Sequence, residues 1–245
     1  DNIYVKNTHN KYVSNWASVS SIQQFKYKDL GVGFAYVNNN SLEVVLPNGS
    51  LTINMLYPIL GDVIADEDGC IYIIWGKNGD ADTNEETVFI SKYTDSGILV
   101  KTVGFVGKSR MGDKGNTKNP FKWGNCRSAI HNDTLVVNYA RQMYNEHQSN
   151  SVIKLNINKM KPIEVSDYDI WDVPYCSHSF NQDVIWSENR NEFVYVNHGD
   201  AYDRGIVIHN DNGTSYVPFH CYLQSNASYD MSIVNKATNM AGEFL

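Results

Sequence analysis

Charge is scarce in this chain of 245 residues: charged residues make up 19%, and the formal net charge is −7. No long run of Lys or Arg occurs, and the acidic balance argues against duplex nucleic acid as a partner. No stretch of about 18 apolar residues is present, so nothing reads as a membrane-inserted helix. Cysteine is sparse as well. The four residues Cys70, Cys126, Cys176 and Cys221 form no CxxC or CxxH pair, which removes a structural zinc site. An even number permits disulfides in a secreted chain, and four cysteines allow three pairings; the plainer reading is buried free thiols. Familiar catalytic signatures are also missing. There is no Gly-x-Ser-x-Gly elbow, no His-Glu-x-x-His and no phosphate-cradling glycine-rich loop.

What is present is apolar and aromatic. Hydrophobic residues reach 42%, with 16 Tyr, 5 Trp and 9 Phe, and Asn is unusually frequent at 29. Such a chain is too apolar for disorder and long enough to bury one sizeable core. No signal peptide is visible. The chain opens directly on Asp1-Asn2-Ile3-Tyr4-Val5, which reads as a strand, as in a mature or excised piece of a longer precursor. Its Asn, Tyr, Ser and Thr content is that of secreted or cell-surface bacterial modules, and a monomeric module of a larger protein is expected.

The dominant pattern has period two. Val32–Val37, Leu42–Leu46 and Leu51–Ile53 are separated by Asn38-Asn39-Asn40 and Pro47-Asn48-Gly49. Short apolar runs divided by Asn/Gly/Asp turns are strand and hairpin signals. The same grammar recurs over Val63–Val100, from Cys126 to Lys159, and from Cys176 to Val217. Each copy is strand, turn, strand, loop, strand, turn, strand, with a period of about 50–60 residues, as expected for β-propeller blades. The predicted fold is therefore all-β, a propeller of four-stranded antiparallel blades, with a β-sandwich as the rival. Approximate blades are 1–56, 57–122, 123–172 and 173–222, with a remainder at 223–245. Four to five blades fit, in one arrangement with both termini completing the last. No helical periodicity with credible caps is found. Sequons such as Asn48-Gly49-Ser50 fall mostly in predicted hairpin turns, where Asn serves the backbone.

Polar residues concentrate in the loops between second and third strands. Asp66 and Asp68, with Asp80 and Asp82, form an oxygen-rich pair of stretches able in principle to hold calcium, although the EF-hand register is not met. No other metal or cofactor is expected. The loop after Tyr139 carries Arg141, Tyr144, His147 and Gln148. The equivalent loop one unit later carries His198, Asp200, Tyr202 and Arg204, and His178 precedes the innermost strand of that unit. Equivalent propeller loops gather on one face around the axis, so these nine residues are the candidate ligand site. The alternative is structural: Asp capping its own turn, and Arg forking onto backbone carbonyls.

The segments Asp133–Asn150, Ser177-His178-Ser179-Phe180-Asn181-Gln182 and Asn197-His198-Gly199-Asp200-Ala201-Tyr202-x-Arg204 resemble modules of large secreted or cell-surface proteins of anaerobic gut and rumen bacteria. The resemblance runs from about Gly61 to about Cys221. It implies location and architecture and no chemistry. Asp203 stands where proline is expected, and the tail after Asn226 departs from the repeat.

Three readings of function remain. Trp123, Tyr139, Tyr144, Trp171, Tyr175 and Tyr202 lie near the candidate loops, and aromatic faces with amide and carboxylate groups hold carbohydrates or peptides. A secreted binding or adhesion module is the leading expectation, with no catalytic residue assigned. The alternative is a glycoside hydrolase or lyase acting through His and Asp residues in the propeller funnel, with carboxylates drawn from Asp183, Asp200 and Asp203 or an acid–base pair of His178 and Asp200. A passive spacer is the third reading.

Overall fold

The computed structural model describes residues 22–80, 83–108, 115–121, 124–163, 176, 178–199, 205–211 and 215–220. Among these the chain forms strands in four antiparallel sheets, and no α-helix.

The first sheet contains β1 (Ile22–Tyr27), β2 (Gly31–Asn38), β3 (Ser41–Leu46) and β4 (Gly49–Asn54). The second contains β5 (Ile59–Ala65), β6 (Ile71–Gly76), β7 (Val88–Tyr93) and β8 (Leu99–Phe105). In the third, β10 (Cys126–His131), β11 (Thr134–Gln142), β12 (Gln148–Asn156) and β13 (Lys161–Pro162) pair in order, and the two-residue β9 (Asn119–Pro120) adds to β11. The fourth contains β14 (Ser179–Ser187), β15 (Glu192–Gly199), β16 (Gly205–Asn210) and β17 (Ser215–His220).

Every sheet is a meander whose first strand sits at one edge. Those first strands touch in succession, β1 on β5, β5 on β10 and β10 on β14. Four small sheets set around a shared line of first strands are propeller blades. A sandwich, in which two sheets cover each other, is excluded. In the first blade β2 and β3 are joined by a tight Asn39-Asn40 turn, so the long second-to-third connection belongs to the later blades only.

Three apolar layers lie between consecutive blades. Phe25, Ala35, Val37, Leu42 and Val44 pack on Val63, Ile71, Ile73 and Trp75. Tyr72, Ile74 and Ile90 pack on Leu135, Val137, Tyr139 and Ile153. Val136 and Val152 pack on Val184, Phe193 and Tyr195. Alternate residues of β6 therefore enter two different cores, and the strand is buried throughout. That is why Ile71-Tyr72-Ile73-Ile74-Trp75 reads as a continuous apolar run.

The layer between the third and fourth blades is polar at both ends. At one end Asn138 Nδ2 donates to Asp183 O at 3.0 Å and to Asn197 Oδ1 at 3.2 Å, and Asn150 Nδ2 donates to Asn138 Oδ1 at 3.2 Å. Asn125 joins this network by donating to Asn181 Oδ1 and accepting from the Gln182 N–H. At the other end Asp211 accepts from Lys154 Nζ and from the Tyr195 hydroxyl, each at 2.7 Å. Burial first, then the Asp211 charge and hydrogen bond, push the Tyr195 phenol well above its ordinary value. Tyr72 is raised as well, by burial and by its hydrogen bond to Asp66.

Both shifts favour the protonated phenol in the folded state. Their contribution is complete below about pH 10 and is lost as pH rises beyond the ordinary tyrosine range. Thermal melting from pH 9 to 12 should fall steeply at the alkaline end, and Tyr195→Phe should flatten the fall. An unchanged slope in the variant would remove Tyr195 as its source.

The acidic stretches weighed for calcium do not meet. Asp66 lies in the turn that opens β6, and Asp80 lies beyond its far end, roughly 20 Å away at about 3.3 Å per residue. Both Asp66 carboxylate oxygens are engaged, by the Cys70 N–H and the Tyr72 hydroxyl. Asp82 lies outside the described residues. Among those described, no group of three or more His, Cys, Asp or Glu side chains is placed to hold a metal ion. Cys70, Cys126 and Cys176 are free thiols, and Cys221 lies outside the described residues. Burial, with the nearby Asp62 charge, pushes the Cys126 thiol up, which keeps it unreactive.

Candidate functional site

The four first strands line one axial cavity of about 880 Å³. Strand register explains its chemistry. On each first strand a polar residue stands on the side turned away from the preceding blade: Gln23 on β1, Asp62 on β5, Arg127 on β10 and Asp183 on β14. The assignment follows from alternation. The next residues in chain, Val63 and Val184, enter the cores with the preceding blades, so their neighbours Asp62 and Asp183 point the other way. All four polar residues line the cavity. Gln23, Asp62 and Asp183 are almost fully buried, at 6%, 6% and 3% exposure.

The ring is internally wired. Ser128 Oγ donates to Asp62 Oδ2 at 2.7 Å. Arg127 Nη1 reaches Gln23 Oε1 at 3.5 Å and its neighbour's carbonyl, Cys126 O, at 2.9 Å. The Asp183 carboxylate accepts from the Val184 N–H at 2.8 Å. Two carboxylates on the second and fourth blades thus lie with a guanidinium on the blade between them. Buried charges are retained where they are paired or hydrogen-bonded.

The cavity opens among the first-to-second-strand turns, with Asp66, Glu67, Asp68, Asn132 and Glu188 at its rim. There the His131 imidazole stacks on the Trp186 indole, with ring centroids 3.6 Å apart and planes at 8°. The edge of Phe193 supports the indole from behind, centroids 5.0 Å apart. A braced aromatic face beside carboxylates is suited to the apolar face and hydroxyls of a sugar ring.

Of the nine residues read from the sequence as a ligand site, Arg141, Tyr144, His147, Gln148, His178 and His198 are not part of this cavity lining. His178 immediately precedes β14 and Glu188 follows it, so His178 and the cavity rim lie at opposite ends of that strand. His147 and His178 come together, ring centroids 5.4 Å apart, and the His178 N–H donates to Gln148 O at 3.0 Å. Burial first, then the charges of His178 and Arg141, lower the His147 pKa, which favours its neutral imidazole. Tyr144 begins a 3-10 turn, Tyr144–Glu146, in the same loop.

Arg141 is buried at the end of β11. Its Nη1 donates to Gly115 O at 2.7 Å and to Gly107 O at 3.3 Å, and its Nε donates to Ser149 Oγ at 3.1 Å. These bonds tie the β8–β9 connection to the third blade. His198 is buried on the face of β15 turned away from the third blade, since its neighbour Asn197 bonds to Asn138. Asp200, Tyr202 and Arg204, with Asp203, Trp123, Trp171 and Tyr175, lie outside the described residues.

The axial ring escapes a sequence reading as a set, because its members stand on four strands far apart in the chain. Of the four, only Asp183 stands among the candidates drawn from the sequence. A signal does exist: Asp-Val-Ile occurs at 62–64 and again at 183–185, each time on the first strand of a repeat. Aligning the repeats by first strand pairs the two carboxylates.

Comparison with protein-family models and with curated protein sequences finds no match. Among solved structures, an exo-1,5-α-L-arabinanase from a bovine ruminal metagenomic library aligns over 83% of this chain and 76% of its own, at 9% identity and a TM-score of 0.40. A GH43_1 enzyme from Xanthomonas citri, solved with xylose, aligns over 82% and 69%, at 11% identity and a TM-score of 0.37. The α-L-arabinanase of Cellvibrio cellulosa aligns over 82% and 74%, at 9% identity and a TM-score of 0.32. By its own strand pairing and the succession of its first strands, the chain is a β-propeller of four-stranded antiparallel blades.

Proposed function

We propose that this chain is a carbohydrate-acting propeller module of a secreted or cell-surface protein, with its saccharide site in the axial cavity. The single observation that carries the reading is the placement of Asp62 and Asp183 at equivalent positions of two first strands, both lining one cavity. Glycoside hydrolysis needs two carboxyl groups flanking the scissile bond, one to protonate the leaving oxygen and one to attack the sugar or activate water. Asp62 and Asp183 are the pair for those roles. Arg127, on the blade between them, adds a positive charge to the same cavity lining, and Trp186 stacked on His131 offers a platform at the mouth. Hydrolysis is favoured over adhesion because cleavage needs two carboxyl groups in one cavity and binding needs no such pair. The stacked pair at the mouth is what favours the second reading, a module that binds carbohydrate without cleaving it.

Both readings are tested by one experiment. The full chain is incubated with a panel of polysaccharides and oligosaccharides, and binding and new reducing ends are measured. Hydrolysis predicts product from the wild type and a loss of about 100-fold or more in rate for Asp62→Asn and for Asp183→Asn. Binding without product, weakened by Trp186→Ala, would establish the second reading. Neither binding nor product would remove both.

A further inference from the structure

Among the described residues, one face of the first blade presents exposed apolar side chains. The inner strands of the second and third blades are covered on both faces: β6 and β11 are buried almost end to end. The first blade instead alternates. On β1 every second residue is buried, and Phe25 and Tyr27 enter the core shared with the second blade. The opposite face carries Val32, Phe34 and Val45, with exposures of 51%, 38% and 41%. Phe34 and Val45 are direct cross-strand partners, and half-buried Tyr36 lies two residues along β2 from Phe34. Large apolar groups gathered on one face mark a contact surface.

Chain order identifies what belongs there. In the second, third and fourth blades, one face packs against the blade that precedes it in sequence, and the first strand is entered directly from that preceding blade. The open face of the first blade is the corresponding one. The chain that leads into β1 is residues 1–21, which include Ile3, Val5, Tyr12, Val13 and Trp16. Its length suffices for two strands and a turn, since β1, β2 and their turn occupy only residues 22–38. We propose that residues 1–21 of the same chain dock as β-structure on the apolar face formed by Val32, Phe34, Tyr36 and Val45, in the position of a preceding blade.

The test is hydroxyl-radical footprinting of the full chain, read by mass spectrometry. Phe34 and Tyr36 should oxidise slowly, at a rate independent of protein concentration. The double substitution Val5→Lys/Trp16→Lys should raise their oxidation several-fold, and Phe34→Lys should in turn raise oxidation of Trp16. Rapid oxidation of Phe34 in the dilute wild type would overturn the proposal. So would protection that grows with concentration, which would mean that a second copy covers the face. Protection indifferent to the segment substitutions would also overturn it. The concentration series needs only the wild type and stands even where a variant fails to fold.

Discussion

Replacing Arg141 by Met should lower the melting temperature by roughly 10 °C, at about 2–4 °C per kcal/mol for a chain of this size. Arg141 is buried, and it satisfies the carbonyls of Gly107 and Gly115 and the hydroxyl of Ser149. Met fills similar volume but donates nothing, so two backbone carbonyls between β8 and β9 lose a charged donor. Hydrogen bonds from charged groups contribute about 1.5–3 kcal/mol each, and a buried group left unmet costs about 1–3 kcal/mol, which places the total near 3 kcal/mol or above. Arg141→Lys should rescue little of it. The planar guanidinium reaches Gly107, Gly115 and Ser149 from separate nitrogens, and a single ammonium on a shorter fork cannot. Calorimetry of the three proteins decides the matter. A Lys variant as stable as the wild type would show that charge alone is needed. Ligand affinity at the axial cavity should be unaltered in both variants, since Arg141 is not part of the cavity lining.

The second large effect is steric and carries an internal control. Phe121 adopts a left-handed backbone, φ +60°, and its buried ring lies across two glycines of the second blade. A Cβ at Gly61 would sit 2.7 Å from the ring, and a Cβ at Gly76 would sit 2.8 Å from both the ring and Pro120. Gly61 occupies the bulge between Leu60 and Asp62, one residue before the axial carboxylate. Gly76→Ala should therefore cost about 2–3 kcal/mol through overpacking. Phe121→Ala should cost about 3–5 kcal/mol through the vacated space. Combining them should cost clearly less than the sum, because the ring that the added methyl would strike is gone. A coupling of about 1–3 kcal/mol in a double-mutant cycle is expected. Strict additivity would mean that the ring and the glycine do not meet. Gly61→Ala should also disturb Asp62, so loss of activity without loss of Asp62 itself would link this packing to the site.

The two predictions draw on different parts of the molecule and show where sequence reading reaches its limit. The blades are legible. Val32–Val37, Leu42–Leu46, Ile71–Trp75 and Thr134–Tyr139 fall in β2, β3, β6 and β11, because strand and turn preferences act over a few residues. The turns at Asn39-Asn40 and Asn132-Asp133 are such local signals, and Asn39 and Asn132 both adopt positive φ, 55° and 51°, which Asn tolerates. One strand escapes. In β1, Ile22-Gln-Gln-Phe-Lys-Tyr alternates, but its buried set is Gln23, Phe25 and Tyr27, and a polar first member hides the pattern.

The rich loops draw attention because polar residues are conspicuous there, whereas the axial residues are solitary. Gln23, Asp62, Arg127 and Asp183 are spread over 160 positions of chain, and no local window contains two of them. Equally, nothing local distinguishes Arg141 the brace from Arg127 the cavity residue. Arg127 stands on the first strand of its blade and Arg141 near the end of the second, and that placement around the axis decides their surroundings.

By itself, the sequence determined an all-β chain of repeated four-stranded units, since alternation and turn chemistry are short-range. Only the tertiary structure decided the rest. Setting the first strands side by side fixes one level around the axis, and the residue at that level in each blade becomes part of one site. The parity of the pleat then assigns each side chain to a core, to the cavity or to an open face, and parity depends on register across blades rather than on any neighbour in sequence.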